Sequence, residues 1–513
     1  MDLLPVSQTS QGPDSLCTTC EAIDWAEITR LSRDADPSYV QTATHMWSLK
    51  VQPAASKIAS FPAVVKDSIE VTLGFNYRYL WVDRHCIDQN SAHKQHIINR
   101  MDQVYSQASI VIIAATGDSA DDGLPGISVS REPQLEFPVG SFTFRQIPPY
   151  DLENVKHTKW ATRGWTYQEG YLSRRRLFFT KVQTIFVCDE MLFPESIACG
   201  AKLQELNAAL GLTSGLIAND GFHYMHLVHN VHEYSLRNLT HDSDSLQAFL
   251  GVLNDYNNSG IRQLHHLWGV PILQPLPGRE PCIALDWKHT SSQSVRRRSG
   301  FPSWSWTGWA GEVFLPSDLR TTLSTVYLDQ ERKRPLEAVY QNLSSSNAPP
   351  RLLYLRSDVT EVTFIPGERV KPFGERYPRQ VHPEVFAILP ITGTVHMVCT
   401  TFMDETVEMM TPYPAILLKE HTHYKYSTHE EQLLSAPKAT LLVVRETDTH
   451  FERVGLVKVG QLVPFGDRGS MPCGFSSSDL SKDVVELSQL ADPIPLRQHK
   501  WLRNAEEKTI CLG

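Results

Sequence analysis

The chain has 513 residues, with 48 Lys or Arg against 57 Asp or Glu, a formal net charge of −9. Its apolar (41%) and charged (20%) fractions exclude wholesale disorder, and the acidic excess argues against a general nucleic-acid binder. No apolar run approaches the roughly 20 residues that cross a bilayer, and Met1-Asp-Leu-Leu-Pro-Val6 lacks the basic region of a secretory signal, so the expectation is a cytoplasmic protein without a membrane span.

Residues 1–38 read as a partly loose N-terminal segment in which Cys17-Thr-Thr-Cys20 lacks the second ligand pair a zinc site needs. The other cysteines are widely spaced and the total is odd, which reads as reduced thiols. From Pro62 to Phe75, Val65, Ile69 and Leu73 recur at helical spacing behind a proline suited to a first turn. Tyr79–Val82 is a short apolar run, the mark of a strand buried on both faces. Ala92–Ala108 carries Ile97, Met101, Val104 and Tyr105 as a helical stripe, and Ile110–Ala115 is a second apolar strand. Strand, helix and strand in this order predict a βαβ unit. The α/β domain expected over residues 39–190 thus has a parallel sheet, with 79–83 and 110–115 as central neighbours.

Further on, Gly164–Leu172 reads as a short helix, with strands at Arg176–Thr180 and Thr184–Cys188. A helical and mixed extension follows over 191–345, ending near a linker at Gln341–Pro350, and residues 346–513 read as antiparallel β. His223, His226, His229 and His232 recur every third residue, a spacing that winds them around a helix instead of aligning them as ligands. Arg174–Arg176 runs into a strand, and Arg296–Arg298 reads as a solvated loop.

Two segments offer chemistry. The loop after Val82 holds Asp83, Arg84, His85, Cys86, Asp88 and Gln89, at a strand end where α/β sheets gather functional groups. In Trp160–Phe179, Trp165 and Glu169 lie four residues apart, so a helix puts an indole beside a carboxylate, with Arg163 close by. Such a Glu suits work on a ribose or general-base chemistry, and the plainer alternative is a packed Trp with Glu169 exposed or paired to Arg163.

Tyr79-Leu-Trp-Val-Asp-Arg-His-Cys-Ile-Asp-Gln89, Met101-Asp-Gln-Val-Tyr-Ser-Gln-Ala108 leading into Ile110–Ala115, and Arg163-Gly-Trp-Thr-Tyr-Gln-Glu169 resemble, in order and spacing, the signature blocks of the fungal heterokaryon-incompatibility (HET) domain. Tyr234-Ser-Leu-Arg-Asn-Leu-Thr240, Asp244-Ser-Leu246, Gly251 and Pro302-Ser-Trp-Ser-Trp306 resemble segments that follow it. The block at Tyr39–Ser48 departs from the family's usual opening, as do Arg84 and His85. The resemblance implies a nonself-recognition protein that triggers regulated cell death, with a fold distantly related to the TIR domain. Some TIR domains cleave NAD with a Glu in a Ser-x-x-Trp-x-x-x-Glu pattern, and Thr162–Glu169 has that spacing. The implied assignment makes Glu169 and Asp83 catalytic. Trp165, Arg84, Cys86, Asp88, Gln89 and Arg163 would hold substrate, with NAD as substrate and no cofactor or metal. The alternative is a non-catalytic adaptor acting through self-association or another incompatibility protein.

Overall fold

A computed structural model describes residues 61–88, 90, 92, 94–146, 155–189, 191–195, 223–258, 264–273, 281–289, 295–316, 325–336, 349–366, 385–390, 395–421, 438–459 and 505–513. It adds the short strands Leu3–Pro5, Leu49–Lys50, Ala201–Lys202, Val370–Lys371, Gly474–Ser476 and Val485–Glu486. Cys17, Cys20, the Tyr39–Ser48 block, Gln89 and most of the expected 341–350 linker lie outside the described residues. The chain divides into two units, Met1–Tyr256 and Asn257–Gly513.

The helices of the first unit are α1 (Ala63–Gly74), α2 (Asp83–Cys86), α3 (Lys94–Ile98), α4 (Met101–Gln107), α5 (Lys159–Thr162), α6 (Thr166–Leu172), α7 (His223–Ser235) and α8 (Gln247–Asn258). The stripe predicted as one helix over 92–108 is split at Asn99–Arg100 into α3 and α4, yet Ile97, Met101, Val104 and Tyr105 still share one cluster, because the break preserves the phase of the buried face. Among the described residues no helix is long and apolar enough to cross a membrane.

A five-stranded sheet runs in the order Ala201–Lys202, Met191–Pro194, Thr184–Cys188, Arg175–Phe179, Val111–Ala114. Only its last pair is parallel, with Ile113 opposite Phe178. The expected all-parallel sheet is therefore corrected to a mixed one. Arg175–Phe179 and Thr184–Cys188 are joined by a tight turn in which the Thr180 N–H donates to the Gln183 carbonyl at 3.1 Å. A connection that short closes only an antiparallel hairpin.

The placement of 79–83 is corrected too. Tyr79–Leu80 pairs antiparallel with Leu49–Lys50, and Val111–Ala114 is the edge of the five-strand order. The segment nonetheless has apolar contacts on both faces: Leu80 and Val82 pack on Val65 and Ile69 of α1, while Trp81 packs with Ile97, Met101 and Tyr105. The four residues are half-buried, so the full burial expected from the apolar run is only partly met. The strand ends early because the chain coils at Asp83, where the Cys86 N–H donates back to the Val82 carbonyl at 2.8 Å. Asp67 on α1 ties in the turn-rich loop after Ala114, accepting from the Leu124 N–H at 2.5 Å and the Ser128 hydroxyl at 2.6 Å.

α7 and α8 close the unit over α6. The Tyr167 hydroxyl donates to Asn230 at 2.9 Å, and Asn230 donates to Tyr256 at 2.8 Å. Gln168 accepts from the Gly251 N–H at 3.0 Å and donates to the Gln247 carbonyl at 2.8 Å. A Cβ at position 251 would meet Asp102 Cβ at 2.8 Å and Leu172 Cδ1 at 2.9 Å. Gly251→Ala is therefore expected to lower stability by about 1–3 kcal/mol through overpacking, despite its better helix propensity. An unchanged urea midpoint would show that α6 and α8 separate at no cost.

In the second unit, Leu353–Pro366 pairs on its two sides with Pro412–His421 and Val385–Pro390. The ladder continues from Pro412–His421 through Lys438–Glu446 and Phe451–Val459 to Val395–Met403, which pairs with Val385–Pro390. The ring is complete: six antiparallel strands form a closed β-barrel. Its interior holds Val362, Phe364, Ala387, Leu389, Cys399, Leu417, Leu441 and Val457. Among the described residues, the expected antiparallel β region thus contains a closed barrel, with short parallel pairings outside the ring, and closure removes exposed sheet edges among those six strands.

Before the barrel, the Trp-rich segment is internally bonded: Trp287 Nε1 donates to the Trp304 carbonyl at 2.8 Å, and Trp309 Nε1 to the Ser303 carbonyl at 2.8 Å. The expectation of a solvated loop at Arg296–Arg298 is corrected. Arg296–Arg297 pairs with Trp309–Ala310, Arg297 donates to the Gly308 and Phe301 carbonyls, and Arg298 is buried against the Thr307 and Trp309 carbonyls. These guanidiniums satisfy carbonyls in a segment that is too irregular to pair them within itself.

Candidate functional site

The site assembles around Glu169, in the first turn of α6. Arg163 lies in extended backbone between α5 and α6, bridged in parallel to Asn238. Gly164 donates to the Asn238 carbonyl at 2.8 Å, and Asn238 donates to the Thr162 carbonyl at 2.6 Å. A Cβ on Gly164 would stand 2.5 Å from Leu239 Cδ2, so glycine lets the two segments meet.

This pairing carries Arg237 into the site. Its guanidinium sits over the Tyr167 ring at 4.6 Å and the Trp160 ring at 5.9 Å, and donates to the Thr166 hydroxyl at 3.2 Å. Burial pushes Arg237 down to about 10, while nearby Tyr167, Glu233 and Glu169 act to keep it charged.

Glu169 is half-buried, and its Oε1 accepts from Trp160 Nε1 at 3.0 Å. Trp160 is itself held edge-on against Phe178, at 5.7 Å between centroids. Burial raises the Glu169 carboxyl to about 7; the Trp160 hydrogen bond opposes that rise, the Asp83 charge adds to it, and Arg163 and Arg237 lower it. Tyr105 is held well above its usual range by burial, and then by the charges of Glu169 and Asp83. Asp83 and Glu169 therefore lie within electrostatic reach of one another and of Tyr105. A carboxyl poised near neutrality between an acid and two guanidiniums can act as a base, or stabilise a developing cation.

The other candidate residues are placed as follows. Asp83, Arg84, Asp88 and Arg163 are exposed. Asp83 Oδ1 accepts from the Arg84 N–H at 2.6 Å, and Asp88 Oδ1 from the Asn90 N–H at 2.9 Å in a local turn. Cys86 is buried, its sulfur accepting from the Val82 N–H at 3.3 Å, and His85 packs on Phe61. Trp165 packs with Ile87, Ile97 and Tyr105, and its Nε1 donates to Asp244 at 2.9 Å. The indole that contacts Glu169 is thus that of Trp160. Helical spacing alone favoured Trp165, but α6 begins at Thr166, which leaves Trp165 at the cap with its ring toward the 241–245 turn.

Residues 35–169 match the family model described as heterokaryon incompatibility protein (HET). No curated protein and no solved structure matches the chain.

Proposed function

We propose that this chain, whose residues 35–169 match the heterokaryon incompatibility (HET) family model, has a function related to heterokaryon incompatibility and acts as a cell-death effector by hydrolysing the nicotinamide–ribose bond of NAD. One observation supports the reading above others: Glu169 is fixed by Trp160, raised toward neutrality, and within reach of the Asp83 charge. The spacing from Thr162 to Glu169, shared with NAD-cleaving TIR domains, points the same way.

In this reaction the bond from ribose C1′ to the nicotinamide nitrogen breaks, and its electron pair leaves with neutral nicotinamide. The cationic ribosyl centre takes up water at C1′ and releases a proton, leaving ADP-ribose. Ionised Glu169 stabilises that centre, in the way carboxylates stabilise oxocarbenium-like states in glycoside hydrolysis. Asp83, Arg84 and Arg163 are all exposed; in this reading Asp83 accepts hydrogen bonds from ribose hydroxyls, and the two arginines bind the diphosphate. The Trp160 hydrogen bond keeps the carboxylate aimed while substrate enters.

The first test incubates the purified full chain with NAD over a range of protein concentrations and measures nicotinamide release. Absence of release from folded protein at every concentration overturns the reading. Because the ionised carboxylate is the working form, kcat/KM is expected to rise with pH through about 7. Asp83→Asn removes a charge that raises Glu169, so it should move that limb to lower pH. A limb that stays in place would separate Asp83 from the site.

The adaptor reading draws on a different observation. Leu135, Phe137, Val139 and Phe142 are 41–61% exposed on and beside the hairpin of Glu136–Val139 and Phe142–Gln146. If assembly is the signal, charges placed at Phe137 and Phe142 abolish killing while Glu169→Gln leaves it intact.

A further inference from the structure

The Glu169 carboxylate has a single anchor. Among the described residues, the hydrogen bond from Trp160 Nε1 at 3.0 Å is the only one it makes. Whatever holds the Trp160 ring therefore decides where the carboxylate points. Local structure contributes little, because α5 has only four residues and a single turn is not stable by itself. The indole is half-buried, so it depends on groups brought from elsewhere in the chain. Phe178 is one of them, edge-on at 5.7 Å between centroids.

Arg237 is the other, and it acts on Trp160 at two points. Its guanidinium lies 5.9 Å from the centre of the Trp160 ring and 4.6 Å from that of Tyr167. It also donates to the Thr166 hydroxyl at 3.2 Å, and that hydroxyl donates to the Trp160 carbonyl. A further bond runs from Arg237 to the Arg163 carbonyl at 3.4 Å. Ring and backbone of Trp160 are thus tied to one planar group. The pairing of Asn238 with Thr162 and Gly164 fixes where that group sits, since Arg237 is the residue before Asn238. A guanidinium can cover two rings while its edge donates to a hydroxyl and a carbonyl; an ammonium is a point charge without that plane.

A salt bridge does not account for this half-buried cation. Among the described residues, no carboxylate stands at ion-pair distance from it. An apolar chain of similar length would avoid the cost of shielding the charge. The charge acts at longer range instead. Burial raises the Glu169 carboxyl, the Trp160 bond lowers it, Asp83 on α2 adds to the rise, and Arg163 and then Arg237 oppose it. Tyr105 on α4 faces the same two carboxylates.

We propose that Arg237 is a positioning residue for Glu169: it clamps Trp160 and, through the indole N–H, keeps the carboxylate aimed at the ribosyl centre. The proposal rests on the reading of Glu169 as the working carboxylate. Its test compares the full chain with Arg237→Met and Arg237→Lys in nicotinamide release from NAD across pH. Well above the Glu169 limb the carboxylate is ionised in all three, so kcat there reports aim alone. Arg237→Met is expected to lower kcat about 10–100-fold with KM within about twofold, because the guanidinium holds Trp160 and not the substrate. Its rising limb should move up from about 7 to about 7.5, as one opposing charge is lost. Arg237→Lys keeps the charge, so its limb should stay near 7 and its kcat should fall between the other two.

A readout without turnover runs beside it. The urea-midpoint difference between each chain and its Glu169→Gln counterpart, followed with pH, reports the titration of Glu169 in the folded state. That titration should move up in Arg237→Met and stay in place in Arg237→Lys. Unchanged kcat in Arg237→Met overturns the proposal, as does a loss confined to KM, which would put Arg237 on the substrate. An Arg237→Lys no better than Arg237→Met, with neither titration moved, shows general packing and overturns it also. Should Arg237→Met fail to fold, Arg237→Lys decides: a lowered kcat with the limb near 7 upholds the proposal, and a parent-like kcat or a raised limb overturns it. If the parent chain releases no nicotinamide, the reading of Glu169 fails by itself, and Arg237 keeps its role only if the titration moves in Arg237→Met and not in Arg237→Lys.

Discussion

Glu169→Gln is expected to lower the rate of nicotinamide release about 10²–10³-fold, equivalent to about 3–4 kcal/mol of transition-state stabilisation. The amide preserves size and can still accept from Trp160 Nε1, so the loss isolates the charge. Stability should move the other way. The folded carboxyl is raised to about 7, above its unfolded value, so its contribution is full below about pH 4.5 and is lost as pH rises through about 7. Above pH 8 the parent carries an ionised, shielded carboxylate that the variant lacks, and Glu169→Gln should be more stable there by about 1–3 kcal/mol. At pH 4 the two should coincide. Activity and urea midpoints measured on the same preparations check both halves. A variant that is inactive and also destabilised at pH 8 would make Glu169 a structural acid.

Arg453→Met is expected to destabilise the second unit by about 3–5 kcal/mol, because it leaves Asp404 buried without its cation. The guanidinium also stacks on Trp287 at 3.5 Å and satisfies two carbonyls, so packing is lost with charge. His289 Nε2, 3.8 Å from Asp404 Oδ1, is the nearest replacement. Burial holds His289 below its usual range, so it would take up a proton only in acid, and the deficit should shrink as pH falls. Arg453→Met with Asp404→Leu should recover most of the loss. If the double variant is no better than the single, the ion pair is not the cause.

The legible parts of this chain were those governed by local period. Val65 and Ile69 on α1, the Ile97–Tyr105 stripe and the existence of strands at Arg175–Phe179 and Thr184–Cys188, though not their antiparallel pairing, follow from residues near in sequence. Tyr79–Val82 shows the limit: its apolar run reports contacts on two faces, but partial burial beside helices and full burial in a sheet leave the same signature. Glu169 and Asp83 were visible as chemistry within motifs. Trp160 stood in the same motif but was outranked by Trp165, since the i,i+4 rule holds only inside a helix, and the cap position was not readable. Arg237 was hidden more deeply: nothing local connects it to Arg163, and the Gly164–Asn238 pairing that delivers it spans 74 residues. The barrel's closure depends likewise on pairings between strands far apart in the chain, such as Val385–Pro390 with Leu353–Pro366.

The seating of α6 beneath α8 bears on where a working fragment must end. The family match stops at Glu169, but that residue's helix is held by Asn230, Gln247, Gly251 and Tyr256, and its guanidinium neighbour is Arg237. A fragment cut after residue 190 would uncover Tyr167, Gln168 and Tyr171 and strip the carboxylate of a cation. The compact unit that holds Glu169 therefore extends some 90 residues beyond the family match, to Tyr256. Inactivity of a shorter piece would report a missing scaffold, and would say nothing about the chemistry of the intact protein.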